Sequence, residues 1–280
     1  MPYPLEKLPY GIRRRLRELS TRSEAYDFQI AAPMYSGFQP IQKIQSLMFA
    51  WFIIDKENHL QKLFYPEQLE NTPLFIVFKQ VSIRNCTPNF LFSTILDDFR
   101  FAPEYLEFSD CLLDETFIQT FVNAVKSTVQ HVELCLCSFT TKNAAKMLCN
   151  SLAFRDLKRF DVREPTFPSS AWWIEAFVET KCISLKTFDV WDAPISVFEI
   201  DKKVLLKFIK TQREDFILSF SMSDDAEWDN ATEQRLNNLF DEHFEKYDKA
   251  SYSPKKKGVY IYFDDEEKEH LMRSYVFRSD

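Results

Sequence analysis

A nine-residue phrase recurs through the middle of the chain and constrains the fold more than any other feature. It runs apolar, two spacers, apolar, one spacer, apolar, two spacers, and then a closing residue. The five copies are Phe78, Val81, Ile83, Cys86; Pro103, Leu106, Phe108, Cys111; Val129, Val132, Leu134, Cys137; Leu157, Phe160, Val162, Pro165; and Leu185, Phe188, Val190, Ala193. They start at 78, 103, 129, 157 and 185, so the spacings are 25, 26, 28 and 28 residues. A weaker sixth unit starts at Asp215, with Leu218 and Phe220 in the strand positions.

Apolar residues at period two predict a short strand with one buried face. The stretches between phrases have helical period instead. Residues 113–128 offer Asp114 as N-cap, with Phe117, Phe121 and Val125 along one face. The stretches 140–152, 169–180 and 201–212 repeat the theme, opening on Thr, Ser and Asp. A single strand and helix cannot bury their own apolar faces, so successive units must stack. The 28 phenylalanines suit the extended apolar core that stacking creates.

The phrase resembles the leucine-rich repeat, whose period is about 20–29 residues and whose phrase closes on Asn or Cys. The cysteine-ending form is similar to that of F-box leucine-rich proteins of the divergent nematode type. The resemblance covers roughly residues 76–222. It implies an α/β fold, a leucine-rich-repeat solenoid with a parallel sheet on its concave face. Cys86, Cys111 and Cys137 are expected in the turn out of each strand, as small buried side chains. No Cys-x-x-Cys spacing supports zinc.

The N-terminal segment, 1–36, carries Leu8–Pro9 followed by Ile12, Leu16 and Leu19, an amphipathic helix with arginines on its wet side. Ser20–Ser23 breaks and caps a second helix with Tyr26, Phe28 and Ile30. This pair resembles the start of an F-box, which implies that residues 8–31 engage the adaptor subunit of an SCF-type ubiquitin ligase. An F-box has a third helical segment, and Pro33 and Gly37 interrupt this one. A plain N-terminal cap on the repeats is the other reading, and both stay open. Residues 37–75 read as a helical, apolar bridge. After the repeats, 223–280 reads as a capping helix over 231–248, with Leu236, Leu239, Phe240 and Phe244 on one side, then a strand with Val259, Ile261 and Phe263 inward. Lys255–Lys257 and the acidic run Asp264–Glu269 read as solvated loop charges.

Several functions are disfavoured by composition. Three glycines, Gly11, Gly37 and Gly258, cannot supply a dinucleotide fingerprint, a phosphate-cradling loop or a nucleophile elbow. The net charge of −7 argues against a nucleic-acid partner, and Arg13, Arg14, Arg15 and Arg17 read as a solvated helix face. Ser46–Ile54 is the strongest apolar run and is far too short to span a membrane. Without a secretory signal, the six cysteines are expected as reduced thiols in the cytosol or nucleus. His59, His131, His243 and His270 form no spaced metal motif, and no catalytic residue, metal or cofactor is expected.

The expected site is a binding face. In each phrase the spacer between the two strand apolar residues points away from the core: Ser82, Glu107, Glu133, Asp161 and Asp189. Neighbouring parallel strands lie about 4.8 Å apart, so these residues form a row whose carboxylates repel. Either Lys158, Arg159, Arg163 and Lys186 neutralise the row, or a basic segment of a protein partner completes it. Trp191 stands beside it as an aromatic anchor, and His131 and Arg163 border it. The first functional expectation is a substrate receptor of an SCF-type ubiquitin ligase; the second is a leucine-rich-repeat binding protein that sequesters or inhibits one protein partner without any ligase.

Overall fold

The computed structural model describes residues 5–34, 36–65, 73–226, 229–240, 242–247, 256–265 and 268–278. The chain begins with two helices, α1 (Tyr10–Leu19) and α2 (Arg22–Ala31). A reciprocal pair of hydrogen bonds between Thr21 and Glu24 starts α2, satisfying two of its free N-terminal amides. α2 buries Ala25, and Arg22 fixes it to the sheet by pairing with Asp98 at 2.8 Å. α1 buries no residue at all.

The stretch expected to be a helical bridge is strand. β1 (Ile44–Ile54) and β2 (Leu60–Phe64) form an antiparallel hairpin, and β3 (Leu74–Arg84) lies parallel on the other side of β1. An unbroken apolar run gives no period that separates a buried strand from a buried helix. Its Ile and aromatic residues suit a pleated surface, and pairing on both edges satisfies the backbone.

Alternating strands and helices follow, with short extra strands in the turns. They comprise α3 (Ser93–Leu96), β4 (Phe99–Phe101), β5 (Tyr105–Ser109), β6 (Leu112–Leu113) and α4 (Glu115–Ala124). Next come β7 (His131–Cys135), β8 (Ser138–Phe139), α5 (Lys142–Asn150), β9 (Arg159–Arg163) and α6 (Ser170–Glu179). β10 (Thr187–Ala193), α7 (Lys202–Thr211) and β11 (Ile217–Met222) complete them. Asp114, Thr141 and Asp201 cap α4, α5 and α7, each side chain accepting an amide hydrogen three residues on.

The C-terminal part comprises α8 (Asn230–Leu239), β12 (Phe244–Tyr247), β13 (Gly258–Asp265) and β14 (Lys268–Phe277). The expected helix over 231–248 stops at Leu239, and Phe244 opens a strand instead. The reason is aromatic packing: Phe240 stacks on Tyr275 at 4.3 Å, and Phe244 meets Phe277 edge-on at 5.5 Å. Val259, Ile261 and Phe263 are buried as expected. Lys255 and Glu266–Glu267, read as loop charges, lie outside the described residues.

The strands form one twelve-stranded sheet, in the order β12-β14-β13-β11-β10-β9-β7-β5-β3-β1-β2 with β4 beside β3. From β1 through β13 all neighbours along that path are parallel, and both ends are closed off by antiparallel strands. The result is a mixed α/β fold with a large, mostly parallel sheet that does not close into a barrel. No helix among the described residues is long and apolar enough to cross a membrane.

The core lies on one face of the sheet, under the helices. Phe108 packs edge-on to Phe121 of α4, Phe160 to Phe177 of α6, and Phe188 to Phe208 of α7. Period-two alternation therefore sends the spacer residues to the opposite, open face.

The turns repeat as faithfully as the strands. Asn85, Asp110, Leu136 and Asp192, each just before the closing residue of its phrase, have positive φ of 58°, 53°, 53° and 53°. Asn and Asp tolerate this left-handed region. The closing cysteines are buried, and their thiols donate to main-chain oxygens. Cys111 Sγ reaches Ile83 O at 3.4 Å, and Cys137 Sγ reaches Phe108 O at 3.2 Å. Cys111 and Cys137 thus tie their turns to the strand of the preceding unit, whereas Cys86 donates within its own turn to Thr87 O at 3.8 Å.

Candidate functional site

Strand register assembles the open face. Leu63, Trp51, Ser82, Glu107, Glu133, Asp161, Asp189 and Ser219 pair in sequence across the sheet. The predicted row exists, extended by Trp51 and Leu63 at one end. Two residues earlier on each strand, a second row runs Gln80, Tyr105, His131, Arg159 and Thr187.

The row is less exposed than expected. Ser82 and Asp161 are buried, and Glu107, Glu133 and Asp189 are half-buried. The longer side chains of the second row explain Asp161. His131 Nε2 lies 2.8 Å from Asp161 Oδ2, and Arg159 Nε donates to both its oxygens at 2.9 and 3.0 Å. Arg159 also reaches Asp189 Oδ2 at 3.4 Å, while the Ser219 hydroxyl donates to Asp189 Oδ1 at 2.5 Å. Glu107 takes Arg84 at 3.0 Å and Gln80 at 3.3 Å. The Ser82 hydroxyl has no hydrogen-bond partner.

Of the four cations expected to neutralise the row, only Arg159 does so. Lys158 donates to Gln130, Arg163 faces Asp192 at 3.5 Å, and Lys186 faces Asp215 at 4.0 Å. Those side chains turn instead toward partners at the strand ends. Arg84, missed in the sequence, takes the first carboxylate of the row, Glu107; its position two residues after Ser82 was the available signal.

Glu133 is different from its neighbours. Its side chain accepts a hydrogen bond from the Tyr105 hydroxyl at 2.5 Å, and among the described residues no lysine or arginine pairs with it. The Tyr105 ring stacks on His131 at 4.2 Å, which holds both groups over the strands.

The electrostatics follow from this crowding. Burial, aided by the Asp161 carboxylate, pushes Asp189 up to about 6, against the Ser219 hydroxyl and Arg159. Burial also works to raise Asp161, but hydrogen bonds from His131 and Arg159 prevail and hold it below the ordinary carboxylate range. Burial, then the Glu133 carboxylate, push the Tyr105 phenol up. Cys135, on the strand of His131, has its thiol pushed up by burial, which disfavours a reactive thiolate.

His131, Glu133 and Asp161 bring potential metal-ligating atoms within 4.8 Å of one another. Arg159 already supplies the cation at Asp161, and His131 is engaged with the same carboxylate, which leaves Glu133 as the member without a lysine or arginine partner among the described residues. What remains available is a polar face with one unpaired carboxylate, flanked by aromatic groups. Trp191 is exposed at one side. At the other, Phe49 stacks on Trp51 at 5.9 Å, with Leu63 opposite Trp51. That second patch went unrecognised because its strand was read as helix.

The N-terminal candidates lie apart from this face. Leu8 and Leu16 are half-buried, Pro9 is exposed, and Ile12 and Leu19 are 50% and 67% exposed. No protein-family model matches the chain, and no curated protein matches it.

Proposed function

We propose that the chain is a leucine-rich-repeat binding protein that takes a protein partner across the open face of its sheet. We further propose that its N-terminal helices attach it to the adaptor of an SCF-type ubiquitin ligase, making it a substrate receptor. The observation that carries the binding reading is the row. Strands from successive units bring Glu107, Glu133, Asp161 and Asp189 together opposite the helices, with Trp191 at the border. Carboxylates gathered this closely are stabilised by cations, and among the described residues no lysine or arginine pairs with Glu133. His131 and Arg163 would contribute at the margins, His131 by holding Tyr105 and Arg163 beside Trp191.

The adaptor reading is supported by α1. A helix that seals the end of a sheet buries its apolar stripe, whereas α1 leaves Ile12 and Leu19 outward. Leu8, Pro9, Ile12, Leu16 and Leu19 would form the docking surface. One observation favours the second reading, sequestration of a partner without a ligase: after α2 the chain enters β1 rather than a third helical segment.

The test is co-purification of the ligase adaptor with the full chain and with an Ile12→Asp, Leu19→Asp variant. The receptor reading expects the parent to retain the adaptor and the variant to lose it while melting at the parent's temperature. A parent that never retains the adaptor leaves the sequestering function.

A further inference from the structure

The proposed binding face contains a ruler. Among the described residues Glu133 is the carboxylate of the row without a lysine or arginine partner, and an apolar patch of exposed Phe49 and Leu63 around the half-buried Trp51 ends the same row. Trp51 is separated from Glu133 by Ser82 and Glu107, three strand spacings along the sheet. At about 4.8 Å per strand, that distance is roughly 14 Å. An extended chain advances about 3.3 Å per residue, so four residues span roughly 13 Å, and residues four apart face the same side.

We propose that the partner contributes an extended segment laid across the strands, with a large apolar residue on Phe49, Trp51 and Leu63 and a Lys or Arg four residues away on Glu133. This rests on the open-face reading of function and adds the chemistry and spacing of the segment. Charge complementarity selects the cation. Glu107 has Arg84, and Asp161 and Asp189 share Arg159, so a positive side chain gains most at Glu133. The Tyr105 hydroxyl and a partner ammonium can both be held, because a carboxylate offers two oxygens. Apolar specificity comes from the aromatic pair, which presents broad, rigid surface at low entropic cost.

A separation of four requires an extended segment rather than a helical one. In a helix four residues advance only about 6 Å, less than half the distance. The Phe49–Trp51 patch and Glu133 would then not be reached together.

The experiment uses the full chain and nine-residue peptides containing one Trp and one Lys at separations of one to six, in both orders, read by fluorescence anisotropy. Affinity is expected to peak at a separation of four. Replacing that Lys by Glu should weaken binding about tenfold, the size of one charge-assisted hydrogen bond. Glu133→Lys should reverse that preference, and Trp51→Ala should remove the dependence on separation while leaving the salt dependence. Binding that is equal at all separations but weakened by Glu133→Lys overturns the ruler and leaves the open-face reading standing. Peptide binding that no open-face substitution alters overturns both. If no peptide binds, the inference is overturned.

Discussion

Removing the Arg159 guanidinium isolates the electrostatics of the open face. Asp161 and Asp189 face each other on paired strands, with side chains 5% and 16% exposed, and Arg159 bridges them while itself 46% exposed. Two ionised carboxylates about 4.8 Å apart repel by roughly 3 kcal/mol at an effective dielectric of about 20. Breaking a fully buried pair costs about 3–5 kcal/mol, and the half-exposed Arg159 reduces the expected loss for Arg159→Ala to about 2 kcal/mol at pH 8. The pH dependence is the sharper signature. Asp189, raised to about 6, favours folding below its ordinary value, and that support is lost as pH rises through about 6. Asp161 does the reverse: being held low, it supports the fold above its unfolded value and loses that support as pH falls. At pH 5 a proton on Asp189 relieves the repulsion, so Arg159→Ala should cost about 1 kcal/mol there. Urea unfolding at both pH values measures this, provided the slope stays constant. Asp189→Asn placed on Arg159→Ala should recover most of the loss at pH 8. An equal loss at both pH values, or no recovery in the double variant, would refute the reasoning.

Cys111→Ala should lower stability by about 1–3 kcal/mol in urea unfolding, through lost packing and an unpaired Ile83 carbonyl, with no change in bound metal. Leu136→Asn should raise the melting midpoint by about 1 kcal/mol equivalent, because a leucine at φ 53° occupies a position that Asn85 and Asp110 fill in neighbouring turns. Deleting residues 5–20 should change stability by less than about 1 kcal/mol, since α1 buries nothing, whereas deletion through 31 removes Ala25 and the Arg22–Asp98 pair and should cost clearly more; thermal melts of the two truncations compare them. Glu133→Lys should slow association with a basic partner in a salt-sensitive way, and Trp191→Ala should speed dissociation, both by surface plasmon resonance. Asp161→Lys is not a fair probe of binding, because a lysine at that buried position would meet Arg159 and unfold the site.

The alternating strand-and-helix order, the buried identity of Val81, Leu106, Val132, Phe160 and Phe188, the cap Asp114 and the membership of the carboxylate row were legible in the residues alone. These are local properties: period, propensity and spacing act over a few residues and are written in them. The tertiary structure alone decided that Ser46–Ile54 is strand, since an apolar run takes its form from the edges it pairs with. It decided that α8 stops at Leu239 and Phe244 turns into a strand, because Tyr275 and Phe277 arrive from elsewhere in the chain. It also decided which cations meet which carboxylates. Arg159 could be placed on the face from spacing, but its choice of Asp161 and Asp189 over Glu133 depends on side-chain reach between strands about 28 residues apart. A period can align residues in a row; only the packed neighbours set which of them stay buried and which charge is left without a partner.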